Sequence, residues 1–255
     1  MSARRTPWVA VVMVVVAGCA SSPQGAGSIA APTTTIRAAT APSPAPAPTA
    51  ATTLVPGTVT SAVALTIPAF AGTAVRVTAA DLPSSWRAGC PVAPSDLRRL
   101  ELSYWGFDDR AHSGALVVNA AHADAIIGVF RRLYERRFPI RRMEPIDAYG
   151  GSDDASIAAD NTAGFNCRNA VTTGPPHWSA HAYGLAIDVN PVENPYLLDG
   201  AVLPPAGAAY TDRSNVRPGM AVRGGELVAA FAAAGWSWGG VWADSDYQHF
   251  SATGN

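Results

Sequence analysis

Hydrophobic and polar residues recur with different periods along the chain. Across 121–137 the apolar positions Ile126, Ile127, Phe130, Leu133 and Tyr134 return at the spacing of one helix face. Asn119 stands ahead of that stretch as a candidate cap, and Pro139 ends it. A second helix is predicted over 225–234, with Leu227, Val228 and Phe231 as its apolar stripe and Gly235 as its stop. A short helix is predicted over 96–101, opened by Ser95. Strands are predicted at 116–118, 140–149, 184–190, 236–242 and 246–251. Residues 63–77 are strand-like but broken by Pro68 and Gly72, so they read as linker or edge strand. A loop over 86–94 holds Cys90, a polar loop with a short helical turn spans 153–166, and 194–218 is a long irregular excursion. Helices and strands mix without regular alternation. The expected class is therefore α+β, a small central antiparallel sheet with flanking helices.

The first third of the chain follows none of these periods. Arg4 and Arg5 precede an apolar run, Trp8 to Val16, too short to span a bilayer as a mature helix. Val16-Ala17-Gly18-Cys19 then resembles the bacterial lipobox, in which the cysteine is lipidated; the alternative is an ordinary secretory signal cleaved near Ala20. Residues 20–60 are Ala, Pro, Thr and Ser with almost no charge, and Pro42, Pro44, Pro46 and Pro48 alternate with small residues. Such a stretch cannot bury a core and is expected to be a disordered tether. The expected organisation is a signal segment at 1–19, a tether at 20–74 and one domain at 75–255, of ample length for a packed core.

Composition narrows the partners. The net charge is −1, and all 18 basic residues are Arg. The Arg pairs that come nearest to a basic block, Arg131-Arg132, Arg136-Arg137 and Arg141-Arg142, lie on or after the 121–137 helix and read as a solvated face rather than a nucleic-acid surface. With Cys19 assigned to lipid, Cys90 and Cys167 remain as an even pair in an exported chain, where a disulfide is expected. A thiol zinc site lacks C-x-x-C spacing, and two buried free thiols are the other alternative.

The candidate chemistry lies in two segments. In Ser179-Ala-His181-Ala-Tyr-Gly184-Leu-Ala-Ile-Asp188, strand alternation would turn Leu185, Ile187 and Val189 into the core. Gly184, Ala186, Asp188 and Asn190 would share the other face, with room beside the carboxylate. A turn at Gly184 could fold His181 back towards Asp188. Near the C-terminus, Asp246-Tyr-Gln-His249-Phe250 adds a second His and a further carboxylate. Two imidazoles and one carboxylate match a catalytic zinc site with an open position, His181, Asp188 and His249 being the ligands and Asp246 the proton carrier. Taken singly, each has a plainer reading: a hydrogen-bonded core His, a turn-capping Asp, a surface acid.

S-x-H-x-x-G-x-A-x-D followed by carboxylate-x-x-H resembles the VanY-type D-alanyl-D-alanine carboxypeptidase family, which includes the L-alanyl-D-glutamate endopeptidases of phage endolysins. Phe165-Asn-Cys-Arg168 resembles that family's arginine segment, and Trp238-Gly-Gly-Val-Trp242 its W-G-G-x-W stretch. The resemblance implies a Hedgehog/D-Ala-D-Ala-peptidase-like zinc site with Zn2+ on His181, Asp188 and His249. It implies Asp246 as general base and acid, and Arg168 stabilising the oxyanion or holding a substrate carboxylate. Ser179 would orient His181 or the substrate. Asp at 246, where the carboxypeptidase branch has Glu, matches the endolysin-like branch. The expected activity is zinc-dependent hydrolysis of peptidoglycan stem peptides, as a D-Ala-D-Ala carboxypeptidase or an L-Ala-D-Glu endopeptidase. The alternative is a non-catalytic cell-wall-binding lipoprotein on the same fold; a Hedgehog-type signalling role is set aside by the bacterial-type leader. The chain is expected to be a monomer, extracytoplasmic and lipid-anchored to the bacterial cell membrane through Cys19.

Overall fold

A computed structural model of the chain describes residues 68–171 and 175–254. The expected signal segment with Cys19, and the expected tether as far as residue 67, lie outside them. Among the described residues no helix is long and apolar enough to cross a membrane.

Three strands, β1 (Gly72–Arg76), β2 (Leu97–Trp105) and β3 (Ala111–Asn119), form an antiparallel sheet in that order. Sheet structure thus begins three residues before position 75, the expected start of the domain. Leu100 pairs with Leu116, and Leu97, Leu100 and Leu102 are all buried. Helix α1 (Ala123–Glu135) lays Ile126, Phe130 and Leu133 into the core shared with this sheet. Each such side chain contributes about 1.5–3 kcal/mol on burial. Asn119 accepts from Ala121 N at 3.1 Å in a 3-10 turn ahead of α1, so the cap precedes the α-helix proper, which starts two residues later and ends two earlier than expected. A short helix α2 (Asp153–Ala158), capped by Ser152, fills the expected helical turn.

A second antiparallel sheet carries the chemistry. Strand β4 (Ala186–Asp188) is followed by a hairpin of β5 (Tyr196–Leu198) and β6 (Ala201–Leu203), then α3 (Glu226–Ala233), β7 (Ser237–Trp238) and β8 (His249–Ser251). The order in the sheet is β4-β8-β7. Ile187 and Phe250 are opposite each other and enter the core, where Phe250 stacks on Phe231 of α3 with centroids 4.2 Å apart. Strand alternation then turns Asp188 and His249 the other way.

The described residues therefore mix a few helices with small antiparallel sheets, two of three strands and one hairpin, rather than one central sheet. Three further expectations are corrected. Residues 97–101 are strand, not helix, because neighbours on both sides take their backbone hydrogen bonds; Ser95 lies inside the 3-10 turn Pro94–Asp96, whose N-cap position is Ala93, without a side-chain cap bond. Residues 140–149 form no strand beyond isolated bridges and a 3-10 turn, Pro139 and Pro145 having no N–H to donate. The excursion at 194–218 contains the β5–β6 hairpin and a 3-10 helix, Pro205–Tyr210. Cys90 and Cys167 are joined by a disulfide with Cα atoms 5.8 Å apart.

Candidate metal centre

Asp188 and His249 are direct cross-strand partners in β4 and β8, so their side chains rise side by side from one face. His249 Nδ1 lies 3.1 Å from Asp188 Oδ1. His181 comes from the 3-10 turn Ala180–Tyr183, whose cap Ser179 accepts from His181 N at 3.2 Å. The turn closes at Gly184 with φ +67°, where a Cβ would lie 2.6 Å from Asn119 N. The left-handed backbone favours glycine, and the close approach to the Asn119 backbone leaves no room for a Cβ. The reversal brings His181 Nε2 to 3.1 Å from Asp188 Oδ2 and 3.3 Å from His249 Nδ1. All three side chains are buried.

On the far side of β4 the segment ahead of Phe165 bridges to it, Ala163 exchanging backbone hydrogen bonds with Asp188. That docking presents Gly164 O to His181 Nδ1 at 2.7 Å. A carbonyl only accepts, so Nδ1 carries the proton and, in the neutral ring, Nε2 turns a lone pair towards Asp188. Second partners of this kind orient metal-bound imidazoles. The three converging ligand atoms lie within 4.8 Å of one another. An imidazole lone pair and a carboxylate face each other stably across a proton or a cation, so the donor set fits a divalent metal of borderline softness. Burial works against ionisation of Asp188, but the adjacent His181 and His249 outweigh it and hold its carboxyl well below the usual range.

His181, Asp188 and His249 stand at the wall of a cleft of about 550 Å³. Asp246, half-buried beside them, has Oδ1 without a hydrogen-bond partner. Burial, and then the charge of Asp188, push its carboxyl up to about 7. Arg168 lines the same cleft; its Nε is 2.9 Å from Asp153 Oδ1, an ion pair without good hydrogen-bond alignment. Trp242 packs on His249 with ring centroids 5.3 Å apart. Trp178, Tyr196 and His177 also line the cleft, whereas Tyr183 does not. His112 is remote, pairing with Asp108 at 2.9 Å. Asn190, expected on the Asp188 face, instead serves the fold: its side chain accepts from Arg141 N and donates to Pro139 O. Leu185, expected in the core, is only partly buried.

Sequence reasoning missed two contributors. The Gly164 carbonyl has no signature in the sequence, although a Cβ there would lie 2.4 Å from Val117 O. Asp153, read as part of a loop, is the partner of Arg168; Ser152-Asp153-Asp154 is the capped first turn of α2, a pattern that could have located the helix but not the ion pair.

No curated protein and no solved structure matches the chain. The D-alanyl-D-alanine carboxypeptidase family model does match, over residues 173–252. That span contains His181, Asp188, Asp246 and His249 and stops short of Arg168, whose place in the site rests on the geometry. By its sequence pattern over 173–252, and by the ligand set that those residues build, the chain carries the metallopeptidase signature of the D-alanyl-D-alanine carboxypeptidase family.

Proposed function

We propose that the protein is an exported, lipid-anchored zinc peptidase that hydrolyses peptide bonds in peptidoglycan stem peptides. The observation that carries this reading is the convergence of His181 Nε2, Asp188 and His249 Nδ1 beside the carboxylate of Asp246, whose Oδ1 is buried without a hydrogen-bond partner. Zinc held by those three residues would supply Lewis acidity and lower the pKa of a nearby water. Asp246, ionised, takes a proton from the attacking water and returns it to the leaving amine. Arg168 offers N–H groups to the oxygen of the reacting carbonyl. Trp242 shields one side of His249, and Ser179 with Gly164 O fixes how His181 faces the cleft.

Export is supported by the disulfide, which suits an oxidising compartment. The lipid anchor is supported by Val16-Ala17-Gly18-Cys19. A domain tethered outside the membrane meets stem peptides directly.

The test is metal content and hydrolysis together. The full-length chain, purified in detergent and supplied with zinc, should retain about one equivalent after dialysis, and His249→Ala should lose it. Asp246→Asn should keep the metal and lose hydrolysis of muropeptides followed by mass spectrometry. Retained metal with no hydrolysis by the unmutated chain would refute the enzyme and leave a wall-binding lipoprotein.

A further inference from the structure

Charge in the cleft is distributed unevenly. Arg168 is the one Lys or Arg among its described lining residues. Its Nε stands 2.9 Å from Asp153 Oδ1, and its Nη1 donates to Asn169 O at 3.2 Å. Asp153 is itself held, because the same Oδ1 accepts from Asn166 Nδ2 at 3.2 Å. Asp154, next along α2, adds another carboxylate to the lining. Arg87, which lies 5.9 Å from the ring centroid of Trp178, donates to Cys167 O at 2.6 Å and is not among the residues lining the cleft. His177 has its Nδ1 on Pro175 O at 3.1 Å. Where β6 reaches the cleft, Leu203, Pro204 and Pro205 bring no charge.

Recognition of a free carboxylate calls for an uncommitted guanidinium or ammonium, because a desolvated anion without a partner is costly. Here the single guanidinium is already neutralised, and a second acid stands beside it. A peptide continuing through the cleft brings no C-terminal charge, and a Glu after the scissile bond brings none once its remaining carboxylate is amidated; such a chain needs hydrogen bonds and apolar contact, and the Leu203–Pro205 end and Trp178 supply the apolar part. Resting on the peptidase reading above, we propose that the cleft takes an internal stretch of stem peptide and discriminates against a free carboxylate on the residue after the scissile bond. The Asp153–Arg168 pair is the specificity-determining element. Arg168 then acts on a substrate carbonyl rather than clamping a chain end.

The experiment uses the zinc-loaded full-length chain and stem-peptide pairs built around each candidate bond, D-Ala–D-Ala and L-Ala–D-Glu. Members of a pair differ only in whether the residue after the scissile bond carries a free carboxylate or its amide. The amide should be cleaved with a kcat/KM at least about tenfold higher, the equivalent of about 1.4 kcal/mol. Asp153→Asn, which releases Arg168, should shrink that ratio severalfold, chiefly by lowering KM for the free acid. Each ratio is internal to one preparation, so partial loss of folded protein does not move it. Equal or preferred cleavage of the free acid by the unmutated chain overturns the inference while leaving a peptidase. An unchanged ratio in Asp153→Asn also overturns it. Cleavage of no substrate by metal-loaded protein overturns the peptidase reading itself, and is told apart by the absence of any product.

Discussion

Removing the disulfide should cost a large share of the domain's stability. Cys90 and Cys167 are 77 residues apart in sequence. Closing a loop of that length restricts the unfolded chain by an entropy worth about 4.5 kcal/mol at room temperature. Domains of this kind are stable by about 5–15 kcal/mol in total. The perturbation is the double change Cys90→Ala, Cys167→Ala. Alanine is chosen because Cys167 is buried among Val77, Leu82 and Phe165, where a serine hydroxyl would go unpaired. Loss of the sulfur packing adds to the entropic effect, and loss of the Arg87 N to Cys90 Sγ contact at 3.2 Å adds slightly more. Urea unfolding followed by Trp fluorescence gives the stability by linear extrapolation, with a larger m-value expected for the variant because its unfolded state expands. The reduced unmutated chain should unfold with the variant. Because Cys167 N is tied to Ser85 O and the next residue is Arg168, hydrolysis should decline at urea concentrations below the global midpoint. A variant within about 1 kcal/mol of the oxidised chain would refute the loop-closure argument.

Three other outcomes are expected. Burial, and then the hydrogen bond and charge of Glu193, raise Asp160 to about 7. The folded state therefore holds a proton that the unfolded state releases near 3.8, and stability falls as pH rises from about 4 to about 7, by at most about 4 kcal/mol. Asp160→Asn mimics the protonated form and tolerates the φ of +56° found there, so it should flatten that slope and be the more stable protein at pH 8 in thermal melts. Gly164→Ala would press a Cβ against Val117 O; a loss of about 1–3 kcal/mol and weaker zinc retention are expected, and unchanged metal affinity by competition with a chelator would count against the role of the Gly164 carbonyl. Asp246 works as a base only when ionised, so kcat/KM should rise with pH up to about 7, and a bound divalent cation should move that limb lower; a limb well above 7 would contradict the assignment.

Local signals were the legible ones. Helix α1 follows from its apolar stripe, and α3 from Leu227, Phe231 and the stop at Gly235, because helix periodicity needs no partner elsewhere in the chain. The motif Ser179–Asp188 likewise names its turn and strand, since the Gly184 reversal and the alternation of Ile187 with Asp188 are contained in ten residues. The first half of β2, 97–101, was misread as a helix because its identity depends on pairing with β1 and with the far half of β3, between 14 and 28 positions away, and not on any period within the segment.

By itself the sequence determined which residues have metal-binding chemistry, where α1 and α3 lie, and which cysteines were available to pair. The tertiary structure decided that Asp188 stands opposite His249, since a strand's register is set by Phe250 and Ile187 sharing the core and not by anything within either motif. It also decided which proton His181 carries, through Gly164 O, and that Arg168 meets Asp153 before it meets substrate. Those facts depend on distances between segments remote in the chain, and only packing brings such segments together.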